Sequence, residues 1–225
     1  MLWFKAWLET RWRFGYVAGF IVGTLGMFLL IGATKQTGPA LRLESALMYC
    51  FAAIYLAGSG INTQTFYSAR SSFHGSMLFT LSLPVSRLRL FLVRTGLGAI
   101  ETLFCVCLMA AIALAWSPGP VSSGQLIQYG VRVLVCTLPV FALSTLMACL
   151  LDEMWQFTGA TFLLLIIAGL QFRFRFLAAF SPLRGMSLLS YPITAPMPWG
   201  ILAVSLILSV ILLIAAVKSV RDKEY

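Results

Sequence analysis

This sequence has few charged residues and almost none of the residue types that usually build an active site. Asp, Glu, Lys and Arg make up only 10% of its 225 residues, whereas soluble domains carry about 25%. His74 is the only histidine, and neither H-E-x-x-H nor G-x-x-x-x-G-K-[ST] occurs. We therefore expect no catalytic residues, no bound metal and no nucleotide binding by this chain. No interval between its apolar runs reaches the length of a separate catalytic domain, about 100 residues.

The five cysteines predict neither a disulfide framework nor a metal site. All of them lie within or at the ends of apolar runs. Cys105 and Cys107 are two residues apart, which places them on nearly opposite sides of a helix. We interpret the cysteines as small buried apolar residues.

Long apolar runs fill most of the chain instead, and hydrophobic residues make up 60% of it. A bilayer core about 30 Å thick needs roughly 20 helical residues. The sequence predicts an all-α membrane protein, a single domain over residues 1–225, with six transmembrane helices near 15–34, 45–63, 93–116, 126–150, 155–170 and 199–217. The run 155–170 is short, so a re-entrant element is the alternative there.

Basic residues predict the orientation of these helices. If all six cross and the N-terminus is cytoplasmic, ten basic residues lie inside: Lys5, Arg11, Arg13, Arg70, Arg87, Arg89, Arg94, Lys218, Arg221 and Lys223. Six then lie outside: Lys35, Arg42, Arg132, Arg173, Arg175 and Arg184. We therefore expect a multi-pass protein of the cell membrane with both termini cytoplasmic. The net charge of +9 is explained by anionic lipid and needs no nucleic acid partner.

Residues 1–14 have the pattern of an amphipathic helix. Lys5, Glu9 and Arg13 recur every four residues, and aromatic residues occupy the other faces. This pattern predicts an interfacial helix that enters the bilayer near Gly15. A plain cytoplasmic extension of the first span is the alternative.

The interval between the second and third runs is the most informative part of the chain. Residues 71–83 have helical periodicity, with one stripe of hydroxyl side chains and an adjoining apolar stripe that contains Phe73 and Met77. Pro84 ends this element, because the residue before a proline is pushed out of helical geometry. The pattern predicts a short cytoplasmic helix followed by a hinge at Pro84. An ordinary solvated loop is the alternative.

Within this interval, Leu83-Pro84-Val85-Ser86-Arg87 follows a Leu-rich stretch and resembles the cytoplasmic coupling segment of type-2 ATP-binding-cassette (ABC) transporter permeases. The N-terminal helix and the six spans are similar to that family in organisation. His74 stands where family members often carry an acidic residue. The resemblance implies an exporter subunit that works with separate ABC ATPase subunits, which carry the ATP and Mg²⁺, and with a second permease chain as a homodimer or heterodimer. It also implies that the ATPase-coupling residues are Arg70, Ser72, Phe73, His74, Gly75, Ser76, Met77 and Thr80.

Three further features lie within or between the apolar runs. Glu101 lies eight residues into the third run, about 12 Å deep, where it either lines a pathway or makes a polar contact between helices. Pro139 interrupts the fourth run and is either a hinge or a static kink. Residues 171–198 combine aromatic, proline and arginine residues, which predicts short re-entrant helices in the outer leaflet.

Two other functions remain open from the sequence. One is a membrane assembly or anchoring protein that transports nothing, and the other is an intramembrane protease or lipid-modifying enzyme. An intramembrane enzyme needs several polar groups at one depth, but Glu101 is the only carboxylate of the predicted spans and the only histidine, His74, lies in a loop. The substrate is not indicated by the sequence.

Overall fold

The computed structural model describes residues 2–32, 38–57, 87–115, 122–151, 153–187, 191, 193 and 195–222. Throughout these residues the regular structure is helical. Six helices are long: α1 (Leu2–Gly32), α2 (Gly38–Leu56), α3 (Arg87–Ala115), α4 (Ser123–Leu150), α5 (Glu153–Arg173) and α8 (Trp199–Asp222). Two short helices, α6 (Arg175–Ala179) and α7 (Pro182–Met186), connect α5 to α8.

Each predicted apolar run coincides with one long helix, but the ends differ. The separate N-terminal helix predicted for residues 1–14 is not a separate element, because α1 continues through Gly15 without interruption. The reason is packing against α3. Ala6 lies in a buried cluster with residues of α3, and Thr10 is hydrogen-bonded to Glu101, so the first turns stay in line with the rest of α1.

Contacts between helices show that the long helices alternate in direction. Trp3 approaches Gly96 and Phe14 packs on Phe104, so α1 and α3 run parallel. Successive long helices are antiparallel, as in the pairs Phe20 with Phe51, Gly98 with Phe141 and Gln156 with Ser144. Along α4 and α8, Cys136 meets Ser205 and Cys149 meets Ala216, so those two run parallel.

Because of this alternation, α1, α3 and α5 begin at one end of the bundle, and α2, α4 and α8 finish there. We call this the basic end, because eight of the described Lys and Arg positions belong to it and five belong to the opposite end. The eight are Lys5, Arg11, Arg13, Arg87, Arg89, Arg94, Lys218 and Arg221. The five are Arg42, Arg132, Arg173, Arg175 and Arg184.

Helix α4 is the centre of the bundle and packs against α2, α3, α5, α7 and α8. Several of its inward residues are small, with Ala142, Ser144 and Thr145 fully buried. Ser144 contacts α2 through the Ile54 carbonyl oxygen, and Ala52, Ala53 and Ala57 of α2 are also fully buried. Small residues at such contacts let helix backbones approach closely, as in membrane bundles. Pro139 is buried within α4, which remains a single helix from Ser123 to Leu150.

The exterior of the bundle is apolar. Large side chains such as Phe162, Trp199, Ile207 and Ile214 are more than half exposed. On a water-soluble protein a continuous surface of this kind would drive association, whereas in a bilayer it faces lipid. By length and composition, three helical stretches of the described residues can cross a membrane: 88–111, 123–150 and 199–222.

Candidate functional site

The predicted ATPase-coupling residues, from Arg70 to Thr80, lie outside the described part of the chain, and so does the predicted hinge residue Pro84. The structure does describe the two residues that flank this interval. Ala57 follows the last turn of α2, and Arg87 opens α3. Both lie at the basic end of the bundle, so the interval 58–86 leaves and re-enters the described structure at that end.

The last turn of α2, from which this interval departs, is held by side chains of α4 and α5. The Gln156 amide Nε2 donates to the Ala57 carbonyl oxygen at 2.7 Å and also lies 3.2 Å from Ser144 Oγ. Ser144 Oγ donates to the Ile54 carbonyl oxygen at 3.0 Å. The last carbonyls of a helix have no partner within the helix, and these bonds supply donors to two carbonyls at the end of α2. We call Gln156, Ser144 and the carbonyls of Ile54 and Ala57 the α2 clamp.

Helix α3 contacts the same turn on another side. A Cβ atom built on Gly98 would lie 2.6 Å from the Leu56 carbonyl oxygen. This distance is far inside van der Waals contact, so only glycine permits the observed approach of α3 to α2. Three helices therefore converge on the final turn of α2.

A second polar group lies between α1 and α3, near the middle of α3. Glu101 is only 3% exposed, and its Oε1 accepts a hydrogen bond of 2.8 Å from Thr10 Oγ1. Arg13 of α1 and the buried Arg94 of α3 are close enough to interact electrostatically with each other, and Arg13 also interacts with Glu101. One acidic and two basic side chains thus lie at this helix interface. Glu101 attracts Arg13, whereas the like charges of Arg13 and Arg94 repel each other.

The third polar group lies toward the opposite end and links α2, α4 and the connection before α8. Arg132 is 1% exposed, and its Nη2 donates to the Tyr191 carbonyl oxygen at 2.7 Å. Its guanidinium also lies over the rings of Tyr129 and Tyr191, 5.3 and 5.8 Å from their centroids. The hydroxyl groups of Tyr49 and Tyr129 are hydrogen-bonded at 2.9 Å. Arginine and aromatic rings attract one another in this geometry.

The short helix α7 reaches deep into the bundle from the opposite end. A Cβ atom on Gly185 would lie 2.5 Å from Cys136 Sγ, and Thr137 Oγ1 contacts Met186 Sδ at 3.4 Å. Cys136 lies thirteen residues into α4, which is about 20 Å along the helix axis. The connection between α5 and α8 is therefore folded inward at this point.

In the described side chains, no three His, Cys, Asp or Glu residues are grouped as metal ligands would be. The five cysteines are thiols and not disulfides; Cys50, Cys105, Cys136 and Cys149 are buried and Cys107 is exposed. Of the residues singled out from the sequence, Glu101 and Pro139 are both buried in the bundle but belong to different helices.

Sequence reasoning missed the α2 clamp and the Arg132–tyrosine group. Gln156 is the second residue of the run 155–170, which was assessed only for its length. Ser144 is similar to the other small residues of the run 126–150. A glutamine within an apolar helix is a signal that could have identified the clamp, because such side chains form hydrogen bonds between helices. Arg132 was counted only among the basic residues of the outer side, whereas in the structure its side chain is buried.

The apolar exterior, the three helices that can cross a membrane and the buried polar contacts define a helical membrane protein. No family model, no curated protein and no solved structure matches this chain.

Proposed function

We propose that this chain is the membrane-spanning permease subunit of an ABC exporter. It would act with separate ABC ATPase subunits and with a second permease chain in the cell membrane. The observation that carries the proposal is the interval 58–86. It contains the first four residues of the Leu83-Pro84-Val85-Ser86-Arg87 motif, and its flanking residues, Ala57 and Arg87, both lie at the basic end of the bundle.

The alternation of the long helices supports six crossings of the membrane. Because the six helices alternate in direction, α1 begins at the basic end and α8 finishes there. An excess of Lys and Arg marks the cytoplasmic side of membrane proteins. In this proposal the basic end is cytoplasmic, and the interval 58–86 is accessible to soluble ATPase subunits.

The inward fold of α7 supports a re-entrant connection on the outer side. Gly185 packs near the middle of α4, and the chain then returns to begin α8 at Trp199. A segment at this depth is tolerated where it is buried in protein, and Gly185 and Met186 are both buried.

The proposed mechanism divides the work between two kinds of chain. ATP and Mg²⁺ bind on the ATPase subunits, and this chain supplies the pathway. ATP-driven closure of the ATPase subunits displaces the coupling helix of residues 71–83. Pro84 acts as the hinge between that helix and α3, while the other end of the interval pulls on the last turn of α2. The direction of transport rests on the family resemblance, and the substrate remains open.

The first test purifies the tagged full chain from its host membranes and measures what accompanies it. We expect an ABC ATPase to co-purify and to hydrolyse ATP. Phe73→Asp and Met77→Asp should release it, because they place a charge in the apolar stripe of the coupling helix. Ser123→Asp is the matched control, since it adds the same charge at an exposed position of the opposite end. Absence of any ATPase, or ATP hydrolysis by this chain alone, would refute the proposal.

The second test measures which side of the membrane the interval faces. Ser76→Cys and Ser123→Cys are made separately in a Cys107→Ser background, which removes the exposed cysteine of the described residues. A membrane-impermeant maleimide should label Ser76→Cys only after the cells are opened, and Ser123→Cys in intact cells. Labelling of Ser76→Cys from outside would overturn the orientation.

An assembly or anchoring role is the outcome that remains if the orientation is as proposed and no ATPase is found. Lipid-modifying activity that is lost in Glu101→Ala or His74→Ala would instead indicate an intramembrane enzyme.

A further inference from the structure

We propose that Gln156 is a positioning residue that transmits movement of the interval 58–86 to helices α4 and α5. This inference rests on the proposed function and specifies how the coupling helix acts on the rest of the bundle. Its basis is the α2 clamp, in which the last carbonyl before the interval is bonded to a side chain of another helix.

The clamp is a direct connection between the interval and two other helices. Ala57 is the last described residue before the interval, and its carbonyl oxygen accepts from Gln156 Nε2 at 2.7 Å. The same amide lies 3.2 Å from Ser144 Oγ, so one side chain joins α2, α4 and α5. A pull on residue 58 therefore acts on Gln156 through one peptide unit and one hydrogen bond.

Burial makes this connection resistant to breaking. Gln156 is 5% exposed, while Ser144 and Ala57 are fully buried. Water does not replace a donor that moves away from such a carbonyl, so separation leaves the Ala57 oxygen unsatisfied. Displacement of the α2 end is consequently followed by movement of its partners.

Helix α4 carries the displacement to the other side of the membrane. Ser144 lies six residues before the end of α4, whose 28 residues span about 42 Å. Toward the other end of α4, Arg132 donates to the Tyr191 carbonyl oxygen in the connection before α8. Movement received at Ser144 can thus reach the opposite end through one continuous helix.

The alternative role for Gln156 is a static cap on α2, and the two roles predict different measurements. A static cap affects stability only. If Gln156 transmits movement, its replacement reduces the response of the opposite end to ATP binding at the basic end, even though the ATPase complex is intact.

The experiment uses the ATPase complex of the full chain in lipid nanodiscs. Spin labels are attached to Ser123→Cys, at the start of α4, and to Arg173→Cys, at the end of α5. Both positions are exposed and belong to the end of the bundle that lies opposite the basic end. Both changes are made in the Cys107→Ser background. The distance between the labels is measured by pulsed electron paramagnetic resonance with and without ATP. Gln156→Met removes the donor at similar length, and Gln128→Met makes the same change at an exposed position of α4.

We expect an ATP-dependent change of distance in the parent and in Gln128→Met. In Gln156→Met the population that responds should fall about tenfold, within the usual range of coupling between sites, while ATPase binding is kept. If Gln156→Met does not fold, Ser144→Ala replaces it. That variant removes the bond to the Ile54 carbonyl and should show a smaller loss.

The outcomes separate this inference from the proposed function. A full ATP response in Gln156→Met, or in Ser144→Ala where Gln156→Met does not fold, overturns the role of the clamp and leaves the permease proposal standing. No ATPase complex with the parent chain overturns the permease proposal itself, and the clamp mechanism with it.

Discussion

Replacement of Gly98 by alanine should separate α2 from α3 at the clamp. The added Cβ would lie 2.6 Å from the Leu56 carbonyl oxygen. Ordinary contact begins at 3.4 Å, so the two atoms must move apart by 3.4 − 2.6 = 0.8 Å. A backbone oxygen cannot rotate away as a side chain can, so the helices themselves must shift.

Two opposing terms set the size of the effect. Overpacking of this kind costs about 1–3 kcal/mol, and the upper half of that range applies because a backbone atom is involved. Alanine gains up to about 1 kcal/mol over glycine within a helix. The net expectation is a loss of about 1–2 kcal/mol, which corresponds to a fall of about 2–8 °C in Tm for a chain of this size.

Two other glycines provide matched controls. A Cβ on Gly96 would meet the Trp3 ring at 2.8 Å, but that ring is the end of a side chain that is 50% exposed and can turn away. A Cβ on Gly130 meets nothing within 4 Å. We therefore expect Gly96→Ala to change Tm little, and Gly130→Ala to raise it by about 1–4 °C.

The assay is thermal unfolding of the detergent-solubilised chain, followed by far-ultraviolet circular dichroism with all four proteins in the same detergent. We expect the Tm to be highest for Gly130→Ala, lower and similar for the parent and Gly96→Ala, and lowest for Gly98→Ala. If Gly98→Ala unfolds at or above the Tm of Gly130→Ala, the close approach of α2 and α3 is incorrect.

The other predictions concern the buried polar contacts. Thr10→Val should lower the free energy of unfolding by about 1–3 kcal/mol in denaturant titration, because Glu101 Oε1 loses its donor. Thr10→Ser keeps the hydroxyl group and should unfold like the parent, so an equal loss in both variants would contradict the contact. Tyr49→Phe should cost about 0.5–1.5 kcal/mol through loss of the bond to Tyr129, while Tyr16→Phe, at a residue 70% exposed, should unfold like the parent. Arg132→Met should increase amide hydrogen exchange near Tyr191 about tenfold or more, since a hydrogen bond from a charged group is lost. Arg173→Met is the exposed control. If exchange is equal in the two variants, Arg132 does not hold this connection.

The existence and order of the long helices could be predicted from the sequence, whereas their ends could not. The run assigned to 199–217 lies within the helix that begins at Trp199, because Pro198 and the apolar residues after it are local signals. The break expected at Gly15 is absent, because contacts of Ala6 and Thr10 with α3 override the local pattern. Such contacts join residues about 90 positions apart, which periodicity does not register.

The candidate site was predictable only in part. Glu101 was recognisable as a buried carboxylate, but its hydrogen-bond donor Thr10 lies in a segment that was expected at the membrane surface. Gln156 and Ser144 were not identified, because their partners are backbone carbonyls of α2. Every residue has such a carbonyl, so the sequence carries no mark of which ones accept a bond from another helix.

By itself, the sequence determined that this is a helical chain suited to a membrane, because hydropathy and helical length are summed over neighbouring residues. It also located the motif on which the permease proposal rests. Only the tertiary structure decided which polar groups meet inside the bundle and which helix ends lie together at the basic end. Those pairings depend on the rotation and register of whole helices, and packing across the bundle sets both.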